Sequence, residues 1–160
     1  MDVNEQIVKE YFEIVKGCLV RNNIEYGKHH ASIDLLAVDK QGNIFDVEVK
    51  WKSAIAIKDS EDRENGFNHF VKQLNDTERN KIIEKLIGKK PTQKMFITTK
   101  HFLSKRKFHY WKGRFEKENI EVLFFDDIIP KLVNAIHVKG KYESPVLQTI
   151  RMLKYFGIVK

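Results

Sequence analysis

Hydrophobic and polar residues alternate along residues 44–52, which follow an apolar run at residues 33–38 and a loop that contains Gly42. In a β-strand successive side chains point to opposite faces of the sheet, so every second residue shares a face. The pattern predicts two strands, joined as a hairpin, with an apolar face toward the core. The other face of the second strand then carries a line of mostly polar side chains, Ile44, Asp46, Glu48, Lys50 and Lys52.

Apolar residues recur at helical spacing in further segments of the chain. They predict a helix at residues 3–16 with Asn4 as its N-cap, a long helix at 67–87, a basic helix from about 104, and helices from 126 and 144. Short apolar runs predict further strands at 18–26, 94–98 and 120–125. A charged connector is expected at 59–65, and the same spacings assign Trp51 and Trp111 to the core.

This order of elements combines strands joined by a hairpin with strands joined through crossover helices. Such connections predict an α/β fold, a central mixed β-sheet of four to five strands flanked by helices. The length suits a single domain at 1–160, in which residues 139–160 form a C-terminal helical extension.

Basic residues are concentrated in one part of the chain. The net charge is +7, yet residues 89–118 alone hold eight Lys and two Arg against two Glu, a local excess of +8. A surface of this kind favours a polyanionic partner. The amphipathic, acidic first residues and the absence of a long apolar run predict a soluble cytoplasmic protein, and Cys18 is expected to be a buried apolar residue.

Asp34 is the acidic residue with the least obvious structural role, because it interrupts the apolar run of the first hairpin strand. An unpaired charge there would cost several kcal/mol. Glu48-Val49-Lys50 on the second strand is the only acid-x-Lys triplet in the sequence. The hairpin is expected to bring Asp34 and Glu48 together, and paired carboxylates favour a hard cation such as Mg²⁺, with Mn²⁺ as a substitute.

Asp34, the thirteen residues that follow it and Glu48-Val49-Lys50 resemble the PD-(D/E)XK nuclease superfamily, with local sequence similar to the Holliday-junction resolvase and Mrr-like branches. The resemblance implies a restriction-endonuclease-like fold. It also implies that the Val49 carbonyl is a third metal ligand beside Asp34 and Glu48, and that Lys50 orients the attacking water. Ile33 stands where the Pro that gives the superfamily its name would be.

Two further residues match auxiliary positions of the resemblance. Glu5 on the first helix is similar to an acid that contacts a metal-bound water, with Glu10 as the other candidate; alternatively, Glu5 is an acid favoured by the helix dipole. Gln73 is similar to a helix-borne residue that positions water or phosphate. The alternative for Gln73 is a polar residue at the edge of an apolar stripe.

The predicted nucleic-acid-binding surface consists of basic residues that would neutralise phosphates, Lys52, Lys105, Arg106, Lys107, Lys112 and Arg114. The alternative is an ordinary solvated helix face. Together these features predict a Mg²⁺-dependent endodeoxyribonuclease, structure-selective or weakly sequence-specific, with a homodimer among the expected assemblies. The alternatives are a non-catalytic nucleic-acid-binding or assembly module of the same fold, and RNA as the substrate.

Overall fold

The computed structural model describes residues 2–27, 31–51 and 60–160, with the backbone alone at 60–62. The helices are α1 (Val3–Glu10), followed directly by a π-helical turn (Tyr11–Val15), α2 (Ser60–Leu74), α3 (Thr77–Ile87), α4 (Lys100–Leu103), α5 (Phe108–Lys117), α6 (Phe125–Ala135) and α7 (Pro145–Tyr155). The strands are β1 (Leu19–Tyr26), β2 (Ala31–Val38), β3 (Ile44–Val49), β4 (Gln93–Thr98) and β5 (Ile120–Phe124).

The five strands form one mixed sheet whose spatial order follows the chain, β1-β2-β3-β4-β5. β2 pairs antiparallel with β1 and β3, whereas β3, β4 and β5 run parallel. The predicted α/β fold with a mixed sheet flanked by helices is therefore confirmed. Because β3 and β4 are parallel, their carboxyl ends meet at one edge of the sheet, where the Lys50 N–H donates to the Ile97 carbonyl at 2.9 Å.

Helices cover both faces of the sheet. On one face α1, the π-helical turn and α6 pack on β2 and β3, through buried residues that include Val8, Phe12, Leu35, Val47 and Phe125. On the other face α2 and α5 pack on β4 and β5, with Phe70, Phe96 and Phe115 in contact, and α3 packs through Ile83. The polar line on β3 therefore lies under α2 and α3, where Asp46 and Glu48 are buried.

Several predicted boundaries are wrong. The long helix at 67–87 is two helices, because Asp76 starts α3 by accepting hydrogen bonds from the Glu78 and Arg79 N–H groups. α2 begins at Ser60, so most of the predicted connector is helical. Asp2, not Asn4, caps α1.

Two predictions about the ends of the basic helix and of β3 also need correction. The basic helix begins at Phe108, after a turn at 105–107. Trp51 is not in the core: it follows the end of β3, is 43% exposed and contacts Phe125 with its edge. Trp111 and Cys18 are buried as predicted. No helix in the described ranges is long and apolar enough to cross a membrane.

Candidate active site

Asp34 lies where the ladder between β2 and β3 ends. The last residue pair of the ladder is Leu35 and Val47. Beyond this pair, the Asp34 side chain, instead of a backbone carbonyl of β2, accepts a hydrogen bond from β3. Its Oδ2 accepts the Val49 N–H at 2.8 Å. Asp34 is buried, and burial raises its pKa, an effect that the Val49 N–H and then Lys50 partly oppose. The carboxylate therefore has a structural contact, but the contact uses only one of its oxygens among the described residues.

Glu48 lies beside Asp34, within hydrogen-bonding reach of its carboxyl group, and is 1% exposed. Burial, followed by the neighbouring Asp34 charge, raises the pKa of Glu48 to about 7, although Arg79 and Lys50 oppose the shift. Two carboxyl groups this close and this poorly solvated repel each other when both are ionised. A cation between them would relieve that repulsion.

Two of the predicted residues contact the same oxygen of Glu48. The Lys50 Nζ lies 3.5 Å from Glu48 Oε1, and its side chain is 36% exposed, so it reaches the carboxylate from the solvent side. The Gln73 Nε2, from the last turn of α2, donates to the same oxygen at 2.9 Å. The structure thus brings Asp34, Glu48, Lys50 and Gln73 together.

Arg79 is the residue of this site that sequence reasoning missed. It lies on α3, is fully buried, and its Nη1 donates to Glu48 Oε2 at 3.0 Å. Its Nε and Nη2 hold the equally buried Asp46 in a two-pronged contact, with the Nη2–Oδ1 distance at 2.6 Å. Asp46 therefore fixes the guanidinium, which in turn fixes Glu48. A signal was present, because Arg79 continues the apolar stripe of Ile82 and Ile83 backwards at helical spacing.

The two candidates for the auxiliary acid, Glu5 and Glu10, have different surroundings in the structure. Burial, followed by the Asp34 charge, raises the pKa of Glu5 on α1, and Glu5 Oε2 is buried without a hydrogen-bond partner in the described part of the chain. The Glu10 carboxylate accepts a hydrogen bond from Gln6 on its own helix. Glu5 is therefore the acid of α1 whose pKa responds to the Asp34 charge, and its Oε2 has no hydrogen-bond partner among the described residues.

The donor set fits a hard divalent cation. Asp34 and Glu48 supply adjacent carboxyl groups, and the Asp34 charge also acts on Glu5. Within residues 2–27, 31–51 and 60–160 no three side chains of His, Cys, Asp or Glu lie close enough to form a ready-made metal cluster. Mg²⁺ commonly binds through one or two carboxylates and keeps several waters, so two carboxylates and a backbone carbonyl suffice.

The predicted phosphate-binding residues differ in their exposure and in their contacts with carboxylates among the described residues. Lys105, Arg106 and Lys107 are exposed in the turn after α4, which follows β4 at the edge of the sheet that holds Lys50. Lys112 faces Glu116 at 3.8 Å. Arg114 is held in a two-pronged pair with Glu64, with the Nη2–Oε1 contact at 2.7 Å. The prediction for Lys52 lies outside the described residues.

Arg114 is therefore less suited to bind phosphate than its charge suggests, because its guanidinium also lies 4.2 Å above the Phe67 ring. The exposed turn at 105–107 keeps the basic surface that the sequence predicts.

A scan of the chain against models of known protein families gives no match, and a search of curated proteins finds no significant relative.

Proposed function

We propose that the protein is a metal-dependent endodeoxyribonuclease with a restriction-endonuclease-like fold, structure-selective or weakly sequence-specific. The observation that carries the proposal is the convergence of two buried carboxyl groups, Asp34 and Glu48, with a solvent-reaching ammonium at Lys50. The resemblance to the PD-(D/E)XK superfamily places the same three residues in one site. The mixed sheet and its flanking helices are compatible with the fold of that superfamily.

Each residue has a distinct part in the proposed hydrolysis. Asp34, Glu48 and the Val49 carbonyl would hold a Mg²⁺ ion, which when bound lowers the pKa of a coordinated water and polarises the phosphate. Lys50 orients the attacking water and offsets the negative charge that develops on the phosphate oxygens. Gln73 and Arg79 hold the Glu48 carboxylate in one orientation. Glu5 offers its free oxygen to a further water ligand.

The substrate is recognised mainly through its backbone in this proposal. Lys105, Arg106 and Lys107 are exposed on the turn at the same edge of the sheet as Lys50. Neutralised phosphates give affinity without sequence specificity and with a steep dependence on salt. A homodimer would place a second site on the opposite strand and remains part of the proposal.

The test is a cleavage assay on supercoiled, linear duplex, single-stranded and four-way-junction DNA, with a matching RNA. Each substrate is incubated with Mg²⁺, Mn²⁺ or EDTA. We expect cleavage of at least one DNA form with metal and none with EDTA, and loss of cleavage in Asp34→Asn and Lys50→Ala. Two matched controls on exposed side chains, Asp127→Asn and Lys81→Ala, should cleave as the wild type does.

Two outcomes would overturn the proposal. Metal-independent binding of DNA by every variant, without cleavage under any condition, would favour the non-catalytic module. Cleavage that survives in both Asp34→Asn and Lys50→Ala would place the chemistry elsewhere. Faster cleavage of the RNA than of every DNA form would change the substrate class while keeping the site.

A further inference from the structure

A pocket of about 510 Å³ lies between the first turns of α2 and α5, separate from the carboxylate site. Its lining residues are Arg63, Glu64, Lys107, Tyr110 and Trp111. Its volume falls within the range of pockets that hold small organic groups. None of these residues contributes to the proposed hydrolysis except Lys107, which belongs to the exposed basic turn.

Aromatic rings form one wall of the pocket. Tyr110 is 60% exposed and meets the ring of the buried Trp111 edge to face, with 5.4 Å between the ring centroids. The packing against Trp111 restrains the Tyr110 ring while leaving much of its surface open. An exposed, restrained aromatic ring offers a stacking surface to a flat ligand, and stacking on such a ring accepts any base because every base has a π-face.

The charged side chains that line the pocket favour an anionic ligand. Glu64 is neutralised by its two-pronged pair with Arg114, so Arg63 and Lys107 supply the remaining charge. The Arg63 Nε is buried without a hydrogen-bond partner within the described residues, and its Nη1 makes only a long contact of 3.4 Å with the Ser104 Oγ. Arg63 and Lys107 both line the pocket, and charge-assisted hydrogen bonds from such cations are the usual contacts to a phosphate.

We propose that this pocket binds one nucleotide of an unpaired nucleic-acid strand, with the base on Tyr110 and a phosphate at Arg63 and Lys107. The proposal rests on the proposed function for the class of substrate and adds a preference for substrates with a single-stranded segment. In a duplex the faces of the bases are already stacked on one another. A ring such as Tyr110 therefore selects an unpaired base.

The pocket has a defined relation to the carboxylate site, because α2 carries residues of both. Arg63 and Gln73 are ten residues apart on this helix, which corresponds to about 15 Å at 1.5 Å per residue. A stacked strand covers that length in about four or five nucleotides at 3.4 Å each. The bound base is thus expected about four or five nucleotides from the cleaved phosphodiester.

The first test measures binding without cleavage. Fluorescence anisotropy in EDTA compares a labelled 12-nucleotide single strand with a duplex of the same length, for wild type, Tyr110→Phe, Tyr110→Ala and Arg63→Gln. We expect Tyr110→Ala to bind the single strand about tenfold more weakly, while Tyr110→Phe keeps the wild-type affinity. The matched control is Tyr155→Ala, since Tyr155 is a comparably exposed Tyr on α7.

The second test uses the fluorescence of Trp111, which lines the pocket, as a signal of binding. The chain has two Trp residues, so Trp51→Phe leaves Trp111 as the only indole reporter. We expect the single strand to change the Trp111 fluorescence at saturation, and the added Tyr110→Ala change to weaken that response. Thymidine monophosphate alone serves as the comparison, and equally tight binding of this mononucleotide would overturn the assignment to a strand.

The inference and the proposed function fail in different ways. Wild-type affinity of Tyr110→Ala for the single strand, together with an unchanged Trp111 signal, would overturn the inference while metal-dependent cleavage stands. A Tyr110-dependent affinity in a protein that cleaves no substrate would keep the inference and reject the nuclease.

Discussion

Two arginines of this protein each hold a carboxylate in a two-pronged contact, but they do so in opposite surroundings. Arg79 binds Asp46 and Glu48 beneath α3, where all three side chains are 0–1% exposed. Arg114 binds Glu64 between α2 and α5, where the side chains are 27% and 44% exposed. The chemistry of the contact is the same, so the difference between the pairs is mainly one of burial.

The pKa values of the two glutamates show what burial does. Hydrogen bonds from Arg114 lower the pKa of Glu64, whereas burial and the Asp34 charge raise the pKa of Glu48 despite its contact with Arg79. A buried ion pair is seldom more stabilising than apolar residues of the same volume, because desolvation offsets the attraction. The Asp46–Arg79–Glu48 cluster is therefore better explained by the orientation of Glu48 than by stability.

The largest effect is expected from Arg79→Gln. The change leaves Asp46 and Glu48 buried without their cation, so the free energy of unfolding should fall by about 3–5 kcal/mol. Chemical denaturation of the variant and the wild type under the same conditions measures this loss. Arg114→Gln is the matched control, and equal losses in the two variants would contradict the difference in burial.

The second prediction concerns pH and Glu48. Its pKa in the folded protein is about 7, above the ordinary value of 4.5, so the folded state holds the proton more tightly than the unfolded state does. The free energy of unfolding should therefore fall as pH rises from about 5 to about 8, by roughly 1–3 kcal/mol. Denaturation across this range should show a shallower decline in Glu48→Gln. Identical pH profiles would show that Glu48 is ionised throughout.

Asp76→Ala should have a smaller effect on the same cluster. Asp76 caps α3 through the N–H groups of Glu78 and Arg79, at 2.7 and 3.0 Å, and so fixes the helix turn that carries the guanidinium. Loss of the cap should reduce the free energy of unfolding by about 1 kcal/mol. Asp76→Asn retains a capping oxygen and should be close to wild type; an equal loss in both would indicate a role for the Asp76 charge instead.

Glu64→Gln should have the smallest effect on stability. The pair with Arg114 is solvated, so its attraction is weak and is screened by salt. Thermal unfolding at low and high ionic strength should give nearly the same midpoint for Glu64→Gln and wild type, with any difference confined to low salt. A salt-independent loss would show that Arg114 needs Glu64 to keep its place over Phe67.

The hairpin and its acids could be predicted because their signals are local. Strand alternation placed Glu48 and Lys50 on one face, and Asp34 was conspicuous inside an apolar run. The order of the five strands was also readable from apolar runs, but α4 and the division of 67–87 into α2 and α3 were missed.

The missed features depend on packing between distant segments. Arg79 lies 31 residues from Glu48 in the chain, and only the packing of α3 on β3 makes them partners. The break at Asp76 was missed because apolar residues recur at helical spacing on both sides of it, in α2 and in α3. Trp51 follows the alternation of β3, but the strand ends at Val49, so alternation no longer predicts burial.

The hydrogen bond from the Val49 amide to Asp34 makes the backbone a built-in spectroscopic probe of the site. The amide donates to a carboxylate oxygen, with 2.8 Å between the nitrogen and Asp34 Oδ2, instead of to a carbonyl of the neighbouring strand. Its nuclear magnetic resonance signal should therefore respond to the charge on Asp34 and to a cation placed beside it. The Val49 amide resonance would then report, in solution and before any substrate is added, whether Asp34 is charged and whether a cation lies beside it.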